Sequence, residues 1–124
     1  MKTTLERVLV VQPHDELRAY TSALLSDLGF RHVLQAPGLS QALLILDKAK
    51  ANRQTIQLIL CDDTLPEGAL ELHQRAKHIP CTVISDPDNP RNLRLAAGLG
   101  LKALLFRPYG KAQLLRTISD ILLS

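Results

Sequence analysis

The chain has 124 residues, which is enough for one domain and too few for two. Its apolar fraction of 46% is ordinary for a globular protein, and its net charge of +3 comes from Lys and Arg residues scattered along the chain. The scattered positive charge argues against nucleic acid binding. The N-terminus lacks the apolar core of a signal peptide, and no apolar run approaches the ~18 residues of a membrane span. We therefore expect a cytoplasmic domain that binds neither nucleic acid nor a membrane.

The first half of the chain predicts two strands and two helices. Arg7–Val11 is a short, β-branched apolar run, which is typical of a buried strand. A helix is predicted over Asp15–Leu28, closed by Gly29, with apolar residues at helical spacing: Leu17, Tyr20, Leu24, Leu25 and Leu28. His32–Ala36 predicts the second strand. The second amphipathic helix has its apolar positions at Ala42, Leu43, Leu46 and Ala49.

The second half predicts three strands and three helices. Residues 58–61 form a third apolar run, and a loop with Pro66 leads to a short helix over 69–78. The fourth strand is predicted at Cys81–Ser85. It is followed by a helix over 91–99, a strand over 103–106 and a helix over 111–123. The inward positions predicted for this last helix are Leu114, Leu115, Ile118, Ile121 and Leu122.

Strands that are apolar on both faces and alternate with helices indicate one α/β domain over residues 1–124, with a parallel sheet covered on both sides. In such sheets the site lies at the carboxyl ends of the strands, near the point where the strand order reverses. Gln12, Asp62, Ser85 and Arg107 stand at or just past predicted strand ends. The sequence therefore predicts a site built from these four residues.

Five segments resemble the receiver domain of bacterial response regulators, and they cover nearly the whole chain. Residues 58–66 resemble the strand that ends in the phosphorylated aspartate, with a proline four residues later. Residues 83–85 are similar to the strand ending in the switch hydroxyl, and 106–109 to the lysine-proline-aromatic turn. Gly29-Phe30, before the second strand, and Gly38, before the second helix, also match the receiver pattern. The resemblance implies a flavodoxin-like, doubly wound, five-stranded parallel sheet in the order 2-1-3-4-5, with helices on both faces.

The resemblance also implies roles for the strand-end residues. Asp62 is the candidate phosphoacceptor, Ser85 carries the switch hydroxyl, and Arg107 stands in place of the family's lysine. Receivers hold Mg²⁺ with the acceptor and an acid pair after the first strand, where this chain has Gln12 and Pro13. Because Mg²⁺ prefers charged oxygens, Asp62 and Gln12 form a weak metal site, and we expect no resident cofactor.

Four residues are expected to make the pocket differ from that of a typical receiver. Two roles are open for Arg107. It binds a phosphoryl group, or it pairs permanently with Asp62 and closes the pocket. The second role is favoured because no metal ion would compete for Asp62. Asp86 stands where receivers usually have a small residue. Its carboxylate either repels an incoming phosphate or serves as a turn residue, and it is a second candidate partner for Arg107. Pro13 and Thr64 complete the positions expected to alter the pocket.

The predicted fourth helix, fifth strand and fifth helix carry many leucines, and receivers commonly use the face that these elements form for partners or dimers. Leu95 and Leu104 are the candidate interface residues, and Leu104 stands where many receivers carry an aromatic switch residue. The expected partners are another protein, an effector domain following residue 124 in a longer chain, or a second copy of this chain.

These observations predict a two-component signalling module that is not an enzyme and acts through protein contacts, with an incomplete phosphorylation pocket. The first alternative is a functional receiver phosphorylated on Asp62 by a histidine kinase. The second, from another functional class, is a flavodoxin-like protein that binds a cofactor.

Overall fold

The computed structural model describes residues 4–62, 66–86 and 104–122. Five strands lie in these ranges: β1 (Arg7–Val11), β2 (His32–Ala36), β3 (Leu58–Asp62), β4 (Cys81–Ser85) and β5 (Leu104–Phe106). The helices are α1 (Asp15–Leu28), α2 (Leu39–Ala51), α3 (Pro66–Arg75) and α4 (Lys111–Leu122). The strands pair in parallel in the order β2-β1-β3-β4-β5, which confirms the predicted flavodoxin-like topology.

Alternation along the strands divides the core between the two faces of the sheet. On one face, Leu9, Ile59 and Val83 pack with residues of α2 and α3. On the other face, Val10 and Leu60 pack with residues of α1 and α4, the latter including Leu114 and Ile118. Because successive strand residues point to opposite faces, strands buried on both sides need helices on both sides, as the apolar runs predicted.

Helix α1 begins and ends where the sequence predicts but does not bury all of its predicted residues. Gly29 adopts a left-handed φ of +116° and its N–H closes the helix on the Leu25 and Ser26 carbonyls. Leu17 and Tyr20 are 37% and 46% exposed, whereas Thr21 is fully buried. Leu17 and Tyr20 therefore lie at the edge of the apolar face that helical spacing indicates, whereas Thr21 tolerates burial because its hydroxyl hydrogen-bonds with that of Tyr109.

Helix α3 begins three residues earlier than predicted, at Pro66 rather than at residue 69, and ends at Arg75 rather than at residue 78. Proline is favoured in the first helical turn because the N–H it lacks would have no partner there. At the other end, Ile79 precedes Pro80, and a residue before proline avoids helical geometry. A turn in which the Ile79 N–H bonds the Ala76 carbonyl therefore replaces the expected last helical residues.

Helix α4 keeps most of its predicted inward face. Leu114, Ile118 and Ile121 are buried, but Leu115 is 47% exposed, so its assignment to the core was wrong. Its backbone position, one residue after Leu114, turns it away from the sheet. The predicted helix over 91–99 lies outside the described residues. None of the helices in the described ranges has the length and apolar character needed to cross a membrane.

Candidate functional site

The sheet register brings the predicted site residues together at the carboxyl edge. Val11 lies beside Cys61, so Gln12 follows β1 next to Asp62 at the end of β3. Asp62 pairs with Ile84, directly before Ser85, and Ser85 pairs with Phe106, directly before Arg107. Gln12, Asp62 and Ser85 are all at most 3% exposed. Three strand ends therefore place polar side chains in a buried environment where each needs a partner.

One carboxylate oxygen of Asp62 accepts two strong hydrogen bonds. Gln12 Nε2 donates to Asp62 Oδ2 over 2.6 Å, and Arg107 Nη1 donates to the same oxygen over 2.7 Å. The Asp62 side chain is 2% exposed and that of Arg107 22% exposed, so the ion pair is largely shielded from water. Hydrogen bonds with a charged partner in such surroundings are stronger than those between neutral groups.

The orientation of the Gln12 amide follows from its second contact. The His14 N–H donates to Gln12 Oε1 over 3.0 Å. A backbone N–H can only donate, so the atom it meets must be the amide oxygen, and the amide NH₂ is turned toward Asp62. Gln12 thus presents a hydrogen-bond donor to the carboxylate, the opposite polarity to that of a metal ligand.

Arg107 bridges two carboxylates. While Nη1 contacts Asp62, Nε donates to Asp86 Oδ1 over 3.0 Å, which matches the pairing considered from the sequence. The hydrogen bond from Arg107 holds the pKa of the Asp86 carboxyl below its ordinary value, although Asp86 is exposed. We call Gln12, Asp62, Arg107 and Asp86 the Asp62 network. It carries two formal negative charges and one positive charge.

Backbone geometry fixes the network at both ends. The Gln12 N–H bonds the Ala36 carbonyl over 3.0 Å, and the Arg107 N–H bonds the Ser85 carbonyl over 2.8 Å. The Arg107–Pro108 peptide bond is cis. The Ser85 hydroxyl donates to the Asp86 carbonyl over 3.2 Å. Gln12 and Arg107 therefore project from segments whose backbone is hydrogen-bonded to neighbouring strands.

A cluster that the sequence did not predict holds α1 against the segment after β5. Tyr20 Oη donates to the Tyr109 carbonyl over 2.8 Å, and the hydroxyls of Thr21 and Tyr109 share a short hydrogen bond. Burial raises the pKa of the Tyr109 hydroxyl above its ordinary value. No local pattern signals this contact, because Thr21 and Tyr109 are 88 residues apart in the chain.

Arg18 is a second residue that sequence reasoning did not identify. Its Nη1 donates to the Gln12 carbonyl over 2.9 Å, and its Nη2 pairs with Asp15 Oδ1 at 2.6 Å. Asp15 and Glu16 lie in the first turn of α1, as the sequence predicted. Arg18 therefore connects that turn to the segment that carries Gln12. The spacing of three residues between Asp15 and Arg18 was the one available signal.

A cavity opens in front of Asp62. It measures about 490 Å³ and is lined by Gln12, Pro13, His14, Leu17, Asp62 and Arg107. The nitrogen Nδ1 of His14 accepts from the Leu17 N–H at 3.4 Å and caps α1. Within this cavity, Gln12 and Arg107 both contact the same oxygen of the Asp62 carboxylate.

These residues do not fit the Mg²⁺ ion that receiver pockets hold. The oxygen of Gln12 accepts from His14, Pro13 has no side-chain ligand, and a guanidinium is within 2.7 Å of Asp62. Mg²⁺ usually binds one or two carboxylates and waters, and a cation next to the remaining carboxylate opposes it. In the described part of the chain, no three His, Cys, Asp or Glu side chains are grouped to hold a metal.

The structure describes no side chain at three of the predicted positions. Thr64 and Leu95 lie outside the described residues. Leu104 begins β5, but its side chain lies outside the described part. Their predicted roles, and the catalytic roles predicted for Asp62, Ser85 and Arg107, stay predictions.

Comparison with known proteins finds structural likeness without close sequence likeness. No protein-family model and no curated protein matches the chain. The chain is similar to the chemotaxis protein CheY4 of Vibrio cholerae, with a TM-score of 0.78, 22% identity, and coverage of 95% of this chain and 99% of that one. It is also similar to a LuxR family DNA-binding response regulator of Silicibacter pomeroyi, with a TM-score of 0.76, 26% identity, and coverage of 93% and 89%.

A third similar structure is the signal receiver domain of an HD domain-containing protein of Pseudomonas fluorescens Pf-5. It has a TM-score of 0.82 and 19% identity, over 98% of this chain and 90% of that one. The chain therefore has the receiver-domain fold, and the resemblance drawn from the five sequence segments is confirmed at that level.

Proposed function

We propose that this chain is a receiver domain of a two-component signalling system that acts as a protein-interaction module and does not depend on Mg²⁺-assisted phosphorylation. One observation carries the proposal. Asp62 Oδ2, on the candidate phosphoacceptor, already accepts from both Gln12 Nε2 and Arg107 Nη1. The buried carboxylate is therefore satisfied by the protein itself, without a metal ion.

The electrostatics of phosphoryl transfer support this proposal. A carboxylate nucleophile attacking phosphorus needs positive charge to neutralise the phosphate oxygens, and a bound metal supplies several kcal/mol of that stabilisation. With Gln12 as a donor and Pro13 without a ligand, that contribution is missing. Losing it slows the reaction by ~10²-fold or more. We therefore expect slow or absent modification of Asp62.

The pairing of Arg107 supports the same conclusion from the other side of the pocket. A phosphoryl group on Asp62 would need the positive charge of Arg107, which is shared between Asp62 and Asp86. An incoming phosphate would also meet the Asp86 carboxylate, whose pKa the hydrogen bond from Arg107 lowers below its ordinary value. Both contacts make the unmodified form the stable state of the pocket.

The partner is proposed to be another protein or an effector domain attached to the same chain. The similar structures include a DNA-binding response regulator and the receiver domain of an HD domain-containing protein, so this fold occurs with attached domains of different kinds. With the Asp62 network closed, the surface seen by such a partner would not depend on a phosphorylation signal.

Treatment with acetyl phosphate and Mg²⁺, followed by intact-mass measurement, tests the proposal. The unaltered protein is expected to gain no phosphoryl group on the timescale on which the variant Gln12→Asp/Pro13→Asp/Arg107→Lys becomes modified. Adding Asp62→Asn to that variant gives the blank, and circular dichroism checks that each variant is folded. NMR with beryllofluoride gives a second readout at the Asp62 and Gln12 amides. Rapid, stoichiometric modification of Asp62 in the unaltered protein would favour the phosphoacceptor alternative and refute the proposal.

A further inference from the structure

A second cavity lies at the opposite edge of the sheet from Asp62. It measures about 550 Å³ and is enclosed by the C-terminal ends of α2 and α3 and the segments that follow them. Ile56 and Ile79, which line it, stand shortly before β3 and β4, whereas Asp62 ends β3. The volume is within the range of about 300–1,000 Å³ that small-molecule sites occupy. We call this cavity the α2–α3 cleft.

The floor of the α2–α3 cleft is apolar. Ala49, Ile56, Ala76 and Ile79 line it, and each is at most 6% exposed. Two of these four residues are alanines, and their small side chains leave room between the helices. Leu43 and Leu46 of α2 extend the apolar lining toward the opening. A ligand in the cleft would therefore bury apolar surface of its own.

The rim of the cleft is basic. Lys50, Arg53 and Arg75 line it, against one acidic residue, Asp47. Arg75 pairs with Glu71 at 3.8 Å, but both side chains are exposed, so the contact is weak. No ion pair of Lys50 or Arg53 occurs within the residues that the structure describes. The C-terminal dipoles of α2 and α3 offset part of this charge without cancelling it.

The backbone at Arg53 adds a separate observation. Its φ is +55°, and it is the one non-glycine residue with a positive φ in the described ranges. Glycine or asparagine adopts this left-handed conformation at lower cost than arginine. The Arg53 N–H closes α2 on the Lys50 carbonyl over 3.1 Å, and both residues line the cleft. A long cationic side chain thus stands where the backbone favours a small residue.

We propose that the α2–α3 cleft binds an amphipathic organic anion, with an apolar body on the alanine and isoleucine floor and a carboxylate, sulfonate or phosphate group at Lys50, Arg53 and Arg75. Apolar burial would supply most of the affinity, and the basic rim would select for an anionic head group. This site is separate from the Asp62 network and does not depend on whether Asp62 is phosphorylated.

Two dyes that share an apolar body test the proposal. The anion 8-anilinonaphthalene-1-sulfonate is compared with the uncharged N-phenyl-1-naphthylamine by fluorescence titration. The anion is expected to bind saturably and about tenfold or more tightly than the neutral dye. It should shift the NMR signals of amides near the end of α2, in residues 52–57 and in 76–79. Shifts confined to another surface, or no binding at millimolar dye, would overturn the proposal.

Matched charge variants separate a built site from general attraction by a basic surface. Lys50→Gln/Arg53→Gln is expected to weaken binding of the anionic dye about tenfold while leaving the neutral dye unaffected. Lys48→Gln/Lys77→Gln removes the same amount of charge from exposed neighbours that do not line the cleft. This control pair should leave binding unchanged. An equal loss in both pairs would show that the cleft does not select the anion.

Discussion

Replacing Arg107 with methionine removes the cation that contacts Asp62 and keeps much of the apolar stem of the side chain. Asp62 is 2% exposed and Arg107 22% exposed, and their charged atoms are 2.7 Å apart. Removing one partner of a buried ion pair costs about 3–5 kcal/mol, because the other charge is left in a poorly solvated place. The partial exposure of Arg107 indicates the low end of that range, about 3 kcal/mol, or about 12 °C in Tm for a chain of this size.

Urea unfolding followed by circular dichroism measures this cost. Arg116 lies exposed on α4, so Arg116→Met is the matched control and should change the free energy of unfolding by less than about 0.5 kcal/mol. Asp62→Asn and the double variant Asp62→Asn/Arg107→Met complete a double-mutant cycle. The double variant should be more stable than the sum of the single losses predicts, by about 2 kcal/mol.

Two results would contradict a strong ion pair between Arg107 and Asp62. A cost below about 1 kcal/mol for Arg107→Met would mean that the pair contributes no more than a surface salt bridge. Strict additivity in the double-mutant cycle would mean that the two side chains do not interact in solution.

Three further predictions concern single groups. The pKa of the Asp86 carboxyl should lie below its ordinary 3.8 in a ¹³C NMR titration, because Arg107 donates a hydrogen bond to it. The stability that this contact contributes is then present above about pH 4 and is lost as the pH falls. A pKa at or above the ordinary value would contradict the pairing. Burial raises the pKa of the Cys81 thiol to about 12. Ellman's reagent should therefore label Cys81 slowly in the native protein and rapidly after unfolding. Fast labelling of the native protein would contradict the burial of this thiol. Thr21→Val should lower the free energy of unfolding in urea by about 1–2 kcal/mol, because the Tyr109 hydroxyl loses that partner. Thr21→Ser keeps the hydroxyl and should lower it less. Equal losses in the two variants would mean that the hydroxyl contact is unimportant.

Much of the fold could be predicted because hydrophobic periodicity is a local property. The strands Arg7–Val11, His32–Ala36 and Cys81–Ser85 have the boundaries that their apolar runs predict. The start of α3 was misplaced because the sequence analysis treated Pro66 as a loop residue, whereas the structure has it opening the helix. The exposure of Leu17 and Leu115 was not predictable in the same way, because helical spacing does not show which of several apolar residues faces the sheet.

The residues of the candidate site could be predicted from the sequence, but the direction of the hydrogen bond between Gln12 and Asp62 could not. Parallel strands bring their carboxyl ends to one edge of the sheet, so the sequence alone predicts that Gln12, Asp62 and Arg107 lie close together. From its residue type and position, Gln12 is predicted to be a weak oxygen ligand. The structure turns its NH₂ toward Asp62, because the His14 N–H takes its oxygen.

Residue types and their spacing were sufficient to predict the order of strands and helices, and the receiver resemblance implied the strand topology and the lack of an acid pair after β1. These depend on residue types at given positions and on spacing along the chain. Three features became visible only in the folded chain: Arg107 joins Asp62 to Asp86, Thr21 hydrogen-bonds with Tyr109, and the α2–α3 cleft has a basic rim. The physical reason is that hydrogen bonds and ion pairs act over about 3 Å, so residues distant in the chain can form them only after the sheet has brought them together.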